Sequence, residues 1–194
     1  VSNFAKTDLF PTASTKAFIY LNGYFQRDTL VNGYGYWLKF SSGTLINLTG
    51  TTIPLETLDV AKGWNLIGSL SYPARVADIS ALPPAAVLSN YYGFHLVPGY
   101  FVEDTLTAGN AYWVKVSNAG KLVLKASSVM PFASPRRAAS ASGKTAVREE
   151  QEKLLQSMNT LTVTDASGQR RALYFSSQST NVPLEQFELP PPPP

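Results

Sequence analysis

Two short runs along the chain alternate apolar and polar positions in the same way: "YWLKF" at residues 36–40 and "YWVKV" at residues 112–116. Each has a glycine turn before it and "SSG" or "SNAG" after it. Period-two patterning marks a strand with one buried face. It puts Tyr36, Leu38 and Phe40 on one face and Trp37 with Lys39 on the other. Tyr112, Val114 and Val116 oppose Trp113 and Lys115 likewise. The face without lysine is the expected core. Each run, with the "TLINL" or "KLVLKA" that follows it, predicts a β-hairpin. "KGWNLIGSLSYP" (62–73) predicts another strand, and Pro83-Pro84 excludes a continuous helix or central strand beyond it.

The two runs belong to a longer repeat. "GYFQRDTLVNGYGYWLKF" begins at Gly23 and "GYFVEDTLTAGNAYWVKV" at Gly99. In register, Asp28 falls on Asp104, Gly33 on Gly109, Tyr36 on Tyr112 and Trp37 on Trp113; upstream, Phe18 falls on Phe94. A period of about 75 residues exceeds that of solenoid repeats, so each copy reads as a small β unit. The first copy has no counterpart of "GWNLIG". Either the chain is part of a longer protein, which the absence of an initial Met also suggests, or the second unit donates a strand to the first.

The pattern changes after "VLKASSVMPF". Residues 134–145, "SPRRAASASGKT", are small and polar and predict a linker. "AVREEQEKLLQSM" (146–158) predicts a short helix with a thin apolar stripe and a Glu149/Lys153 pair. "LTVT" and "ALYF" flank Asp165-Ala166-Ser167-Gly168, a hairpin signature. The tail "PLEQFELPPPPP" cannot extend a ladder because proline has no N–H, so it predicts a polyproline II strut. The expected architecture is all-β: units at 1–61 and 62–133, a linker with a short helix at 134–157, and a hairpin with its proline strut at 158–194.

Composition narrows the chemistry. The 194 residues are 44% hydrophobic and only 15% charged, with a net charge of +3. Residues 134–175 carry seven basic and four acidic side chains, and Arg136-Arg137 has no interleaved aromatic to stack a base. No nucleic-acid partner is expected. No apolar run approaches the roughly 20 residues of a membrane span. With no cysteine and a single histidine, His95, thiolate or imidazole metal sites are not expected, and no cofactor motif is present.

The hairpin "LTVTDASGQRRALYF" followed by "FELPPPPP" resembles a segment near the C-terminus of large secreted surface proteins of the Bacteroidetes, Ignavibacteria and Chlorobi group. There it lies upstream of a type IX secretion sorting domain. "KGWNLIGSLSYP" with "LTAGNAYWVKV" resembles the GWNLIG...GYWVK modules of the same proteins. The resemblance implies a secreted or outer-surface location. The strands and sorting domain that follow in that group do not follow here, so the last hairpin is expected to be half of a split domain.

Candidate sites are few. Trp37 and Trp113, with Lys39 and Lys115 beside them, could form flat platforms for a glycan; the plainer reading packs each indole against a loop or second sheet. Asp28 and Asp104 supply one carboxylate per copy, too few for calcium, and so read as turn residues. Glu103 and Asp104 point to opposite faces of a strand, which defeats paired acid–base work. No nucleophile arrangement surrounds His95, and Asn47 has glycosylation spacing. The expected function is a non-catalytic structural or interaction module serving adhesion, a stalk or self-assembly by strand complementation. Its partners would be other domains of the same polypeptide or neighbouring copies; the alternative is a carbohydrate-binding module.

Overall fold

The computed structural model describes residues 4–84, 86–97, 99–127, 146–168, 170–176 and 187–194. The predicted linker at 134–145, with Arg136 and Arg137, lies outside the described residues. In chain order the elements are α1 (Lys6–Leu9), β1 (Ala17–Tyr20), β2 (Tyr24–Arg27), β3 (Leu55–Val60), β4 (Gly63–Gly68), β5 (Ala74–Arg75), a 3-10 turn (Val76–Asp78) and β6 (Ser80–Leu82). Then follow β7 (Tyr91–His95), β8 (Gly99–Glu103), β9 (Thr105–Leu106), β10 (Ala111–Val116), β11 (Gly120–Lys125), α2 (Ala146–Gln156), β12 (Asn159–Thr164) and β13 (Arg170–Phe175). The protein is all-β; among the described residues every strand pair is antiparallel and two helices accompany the sheets.

The second unit is a two-layer sandwich. One sheet runs β4-β10-β7-β8 and the other β3-β11-β6. Tyr112, Val114 and Val116 face the second layer, where Leu58, Leu122 and Leu124 meet them, all at most 5% exposed. This is the core face that the alternation predicted. The expected hairpin between "YWVKV" and "KLVLKA" does not form. β10 pairs with β4 and β7, whereas β11 pairs with β3 and β6, so residues 117–119 carry the chain between layers. β3 and β4 turn the same corner, and the Asn65 side chain fastens it with bonds to Ala61 N, Ala61 O and Gly63 O. Alternation reports a buried face; it does not report which sheet supplies the next strand. β3 also lies before residue 61, where the sequence divides the units, yet it pairs along its length with β11 of the second.

The first unit repeats part of one layer of this design, with matching hydrogen bonds. Val76 N–H donates to Asp104 O, and Lys6 N–H donates to Asp28 O. Leu88 N–H donates to Lys115 O, as Ser14 N–H does to Lys39 O. Lys115 N–H donates to Ser89 Oγ, as Lys39 N–H does to Thr15 Oγ1. The backbone bridge Trp37–Phe18 matches Trp113–Tyr92. Phe18 therefore corresponds to Tyr92 and Tyr20 to Phe94, shifting the sequence alignment by two. Three residues separate Tyr20 from its strand partner Tyr24, and five separate Phe94 from Tyr100, so the longer turn hid the register.

The first unit has no counterparts of β3, β4, β6 or β11 among the described residues. "YWLKF" is accordingly held by isolated bridges at Trp37 and Phe40 rather than a continuous ladder, and residues 44–48 form no strand. The missing edge is supplied by the second unit. Gly35 N–H donates to Leu66 O at 2.9 Å and Gly68 N–H to Gly33 O at 2.9 Å, joining residues 33–35 to the free edge of β4. β4 thus bonds β10 along one edge and, on the other, residues 33–35 that lead into "YWLKF", the donation that the sequence offered as one of two explanations. A side chain at Gly35 would stand 2.6 Å from Ala111 Cβ and 2.7 Å from Leu66 Cγ, so this approach needs glycine.

Helix α2 ends two residues before the predicted 158. It docks on the second unit: Arg148 Nη1 donates to both Asp104 carboxylate oxygens at 2.8 and 2.9 Å, and Asn90 Nδ2 donates to the buried Gln151 Oε1 at 2.7 Å. β12 and β13 form the expected hairpin, with Gly168 at φ +83° and Asp165 bonding the turn. Every described residue of this hairpin is exposed.

Candidate proline-strut groove

The second faces of the repeat strands meet each other. Tyr20 of the first unit packs edge-on against Trp113 of the second with ring centroids 4.8 Å apart. Its counterpart Phe94 packs on Trp37 at 4.9 Å. Within the units, Tyr20–Tyr24 at 5.3 Å answers Phe94–Tyr100 at 5.1 Å. Exchanging the units maps each contact onto another, the signature of an isologous, pseudo-two-fold interface. Trp64 of β4 extends the cluster through Trp113 and Tyr92. Each such edge-to-face pair contributes about 0.5–1.5 kcal/mol beyond area burial.

The C-terminal strut is bonded to this cluster. Tyr24 Oη donates to the carbonyl of Pro192 at 2.7 Å, and its counterpart Tyr100 donates to the carbonyl of Pro191. Pro190 is buried. Glu188 receives two further bonds, Trp64 Nε1 to Oε1 at 3.1 Å and Lys115 Nζ to Oε2 at 2.6 Å. The strut therefore enters over the second unit and leaves over the first.

Electrostatics keep these groups in their bonding forms. Burial raises the Tyr24 hydroxyl well above the ordinary tyrosine range, and raises Tyr100 to about 12, so both remain donors. The hydrogen bond from Lys115, then that from Trp64, lowers the Glu188 carboxyl below its usual value. The indole N–H groups of Trp37 and Trp113 are buried beside the Tyr24 and Tyr100 hydroxyls, but neither makes a hydrogen bond of ordinary geometry.

The four candidate residues divide. Trp113 is 1% exposed, enclosed by Tyr20 and Trp64, and has no open ring face for a sugar. Trp37 is half-buried against Phe94. Lys115 binds the strut, whereas Lys39, at the same place in the first unit, is exposed and makes no ion pair among the described residues. Sequence reasoning missed Tyr24, Tyr100, Trp64 and Glu188 as binding residues. The signal was present: the "GYF" repeat sets a tyrosine at the same point of each unit, and the chain ends in a proline run able to accept from both.

The remaining acidic candidates are accounted for locally. Asp28 pairs with Lys16 at 2.7 Å on an exposed surface, and Asp104 pairs with Arg148. Glu103 is half-buried, and its carboxyl is raised by desolvation. His95 is exposed and stacks on Phe101 with centroids 4.3 Å apart. Among the described residues no cluster of three or more His, Cys, Asp or Glu could hold a metal, and no helix is long and apolar enough to cross a membrane. Comparison with known proteins finds no matching family model, curated protein or solved structure.

Proposed function

We propose that the chain is a non-catalytic structural module of a large secreted or cell-surface bacterial protein, in which two β units form a socket for a proline strut. The observation that carries this reading is the paired hydrogen bonding of Tyr24 and Tyr100 to successive carbonyls, Pro192 and Pro191. Aromatic-lined sites with hydroxyl donors suit polyproline II, which is already extended and so loses little entropy on docking. The partners of the module are then segments of its own polypeptide, in keeping with a stalk or assembly role. The sequence resemblance supplies the secreted location.

The socket supports the structural reading more strongly than the glycan one, because the indole of Trp113 already packs against protein. The test is thermal unfolding of the full chain followed by tryptophan fluorescence, against a Pro191→Gly/Pro192→Gly variant. The variant is expected to melt several degrees lower and to show altered tryptophan emission. Identical melting and emission would show that the strut bears no structural load and would end this reading.

A further inference from the structure

We infer that the groove reads the direction of its ligand, and that the class of ligand it takes is a proline segment with a carboxylate upstream, of the form Glu-x-x-Pro-Pro. The inference rests on the socket reading above and adds polarity and ligand class to it. Its starting point is a mismatch of symmetry: the aromatic cluster is pseudo-two-fold, whereas a peptide has a beginning and an end.

The tyrosine bonds do not resolve that mismatch. Proline has no N–H, so a proline run offers the groove only carbonyl acceptors and ring faces, whichever way it lies. Tyr24 and Tyr100 are equivalent donors and would serve a reversed strut as well. Direction must come from a group present at one end alone.

Trp64 and Lys115 are that group. Trp64 lies on β4, the strand that the two units share but that only the second unit flanks with a full ladder. No residue of the first unit occupies the place of Trp64 among the described residues. Lys39 stands where Lys115 stands, but it is exposed and has no counterpart of Trp64 to donate with it among the described residues. A carboxylate at Glu188 therefore finds two donors over the second unit, the Lys115 side chain being 13% exposed and that of Glu188 53%. At the other end a reversed peptide would meet a single solvated ammonium. Charge-assisted bonds in a partly desolvated site are the strong ones, whereas an exposed pair contributes little.

The test uses the full chain carrying Glu188→Ala, which loosens the tethered strut that would otherwise compete at high effective concentration. Dye-labelled peptides FELPPPPP, FQLPPPPP and the reversed PPPPPLEF are titrated by fluorescence anisotropy. The forward acidic peptide is expected to bind about tenfold tighter than either of the others, the equivalent of losing one charge-assisted bond. Adding Lys115→Met to the chain should erase that preference. Equal binding of forward and reversed peptides, or binding of none, overturns the inference. The Trp64 indole resonance separates this failure from that of the socket reading. If it shifts between the parent chain and Glu188→Ala, the strut docks in its own chain whatever the peptides do.

Discussion

Tyr36 and Tyr112 show how a repeat conserves a single bond. Each hydroxyl accepts a backbone N–H five residues upstream, from Val31 at 3.0 Å and from Thr107 at 2.9 Å. Between donor and acceptor lie Gly33 at φ +85° and Gly109 at φ +81°, a conformation that only glycine adopts without strain. Tyr112 is fully buried and also bonds Thr107 Oγ1, whereas Tyr36 is half-buried. Tyr112→Phe is expected to cost about 1 kcal/mol in urea unfolding and Tyr36→Phe less, because water replaces the lost partner more readily there. At Glu188 the expectation concerns pH. Its folded pKa is depressed by Lys115 and Trp64, so its contribution is fully present above the unfolded value of about 4.3 and is lost as pH falls through the lower folded value. The Trp64 indole resonance should stay constant from neutrality to about pH 5 and move in more acid solution. Glu188→Gln should abolish that movement, and an unchanged titration in the variant would assign it elsewhere.

Among the elements, α2 is held to the second unit by polar groups. Val147, Leu154, Leu155 and Met158 were legible as a thin stripe, and none is fully buried. What anchors the helix is the ion pair of Arg148 Nη1 with both Asp104 carboxylate oxygens, the side chains being 30% and 24% exposed, together with the bond between Asn90 and Gln151. A partly buried ion pair of this kind contributes about 1 kcal/mol once solvent screening is discounted. Arg148→Ala should therefore raise amide hydrogen exchange across 146–156 without changing exchange in β10, and unchanged helix protection would count against this anchoring. β12 and β13 were also legible, from alternation and the Asp165-Ala166-Ser167-Gly168 turn. Their neighbours were not: Leu161, Val163, Leu173 and Phe175 remain at least 50% exposed. A lone two-stranded hairpin is marginally stable, and among the described residues β12 and β13 pair with each other alone.

For the molecule as a whole, sharing β4 is the decisive arrangement. It couples the units, because residues 33–35 bond one edge of β4 while β10 bonds the other. Gly35→Val would drive a side chain into Leu66, Ala111 and the carbonyl of Ile67, the last at 3.0 Å. Overpacking of this kind costs about 1–3 kcal/mol. The expected outcome is separation of the first unit from the second: amide exchange in β1 and β2 rises, while the core around Tyr112 and Leu122 stays protected. Uniform loss of protection would show instead that both units unfold as one.

Periodicity by itself determined the all-β class, the buried face of β10, the strand at "GWNLIG", the short helix and the last hairpin. Each depends on side chains a few residues apart, whose alternation follows from backbone geometry. The duplication was equally plain, and with it the absence of a "GWNLIG" strand in the first copy. Tertiary structure alone decided that β10 and β11 lie in different layers, that "YWLKF" is held by single bridges, and that β4 serves both units. It alone decided that the tyrosines of the two "GYF" copies converge on the proline strut. These outcomes join residues far apart in the chain, and they turn on which sheet edges and aromatic faces meet, a choice that a local pattern of apolar and polar positions leaves open.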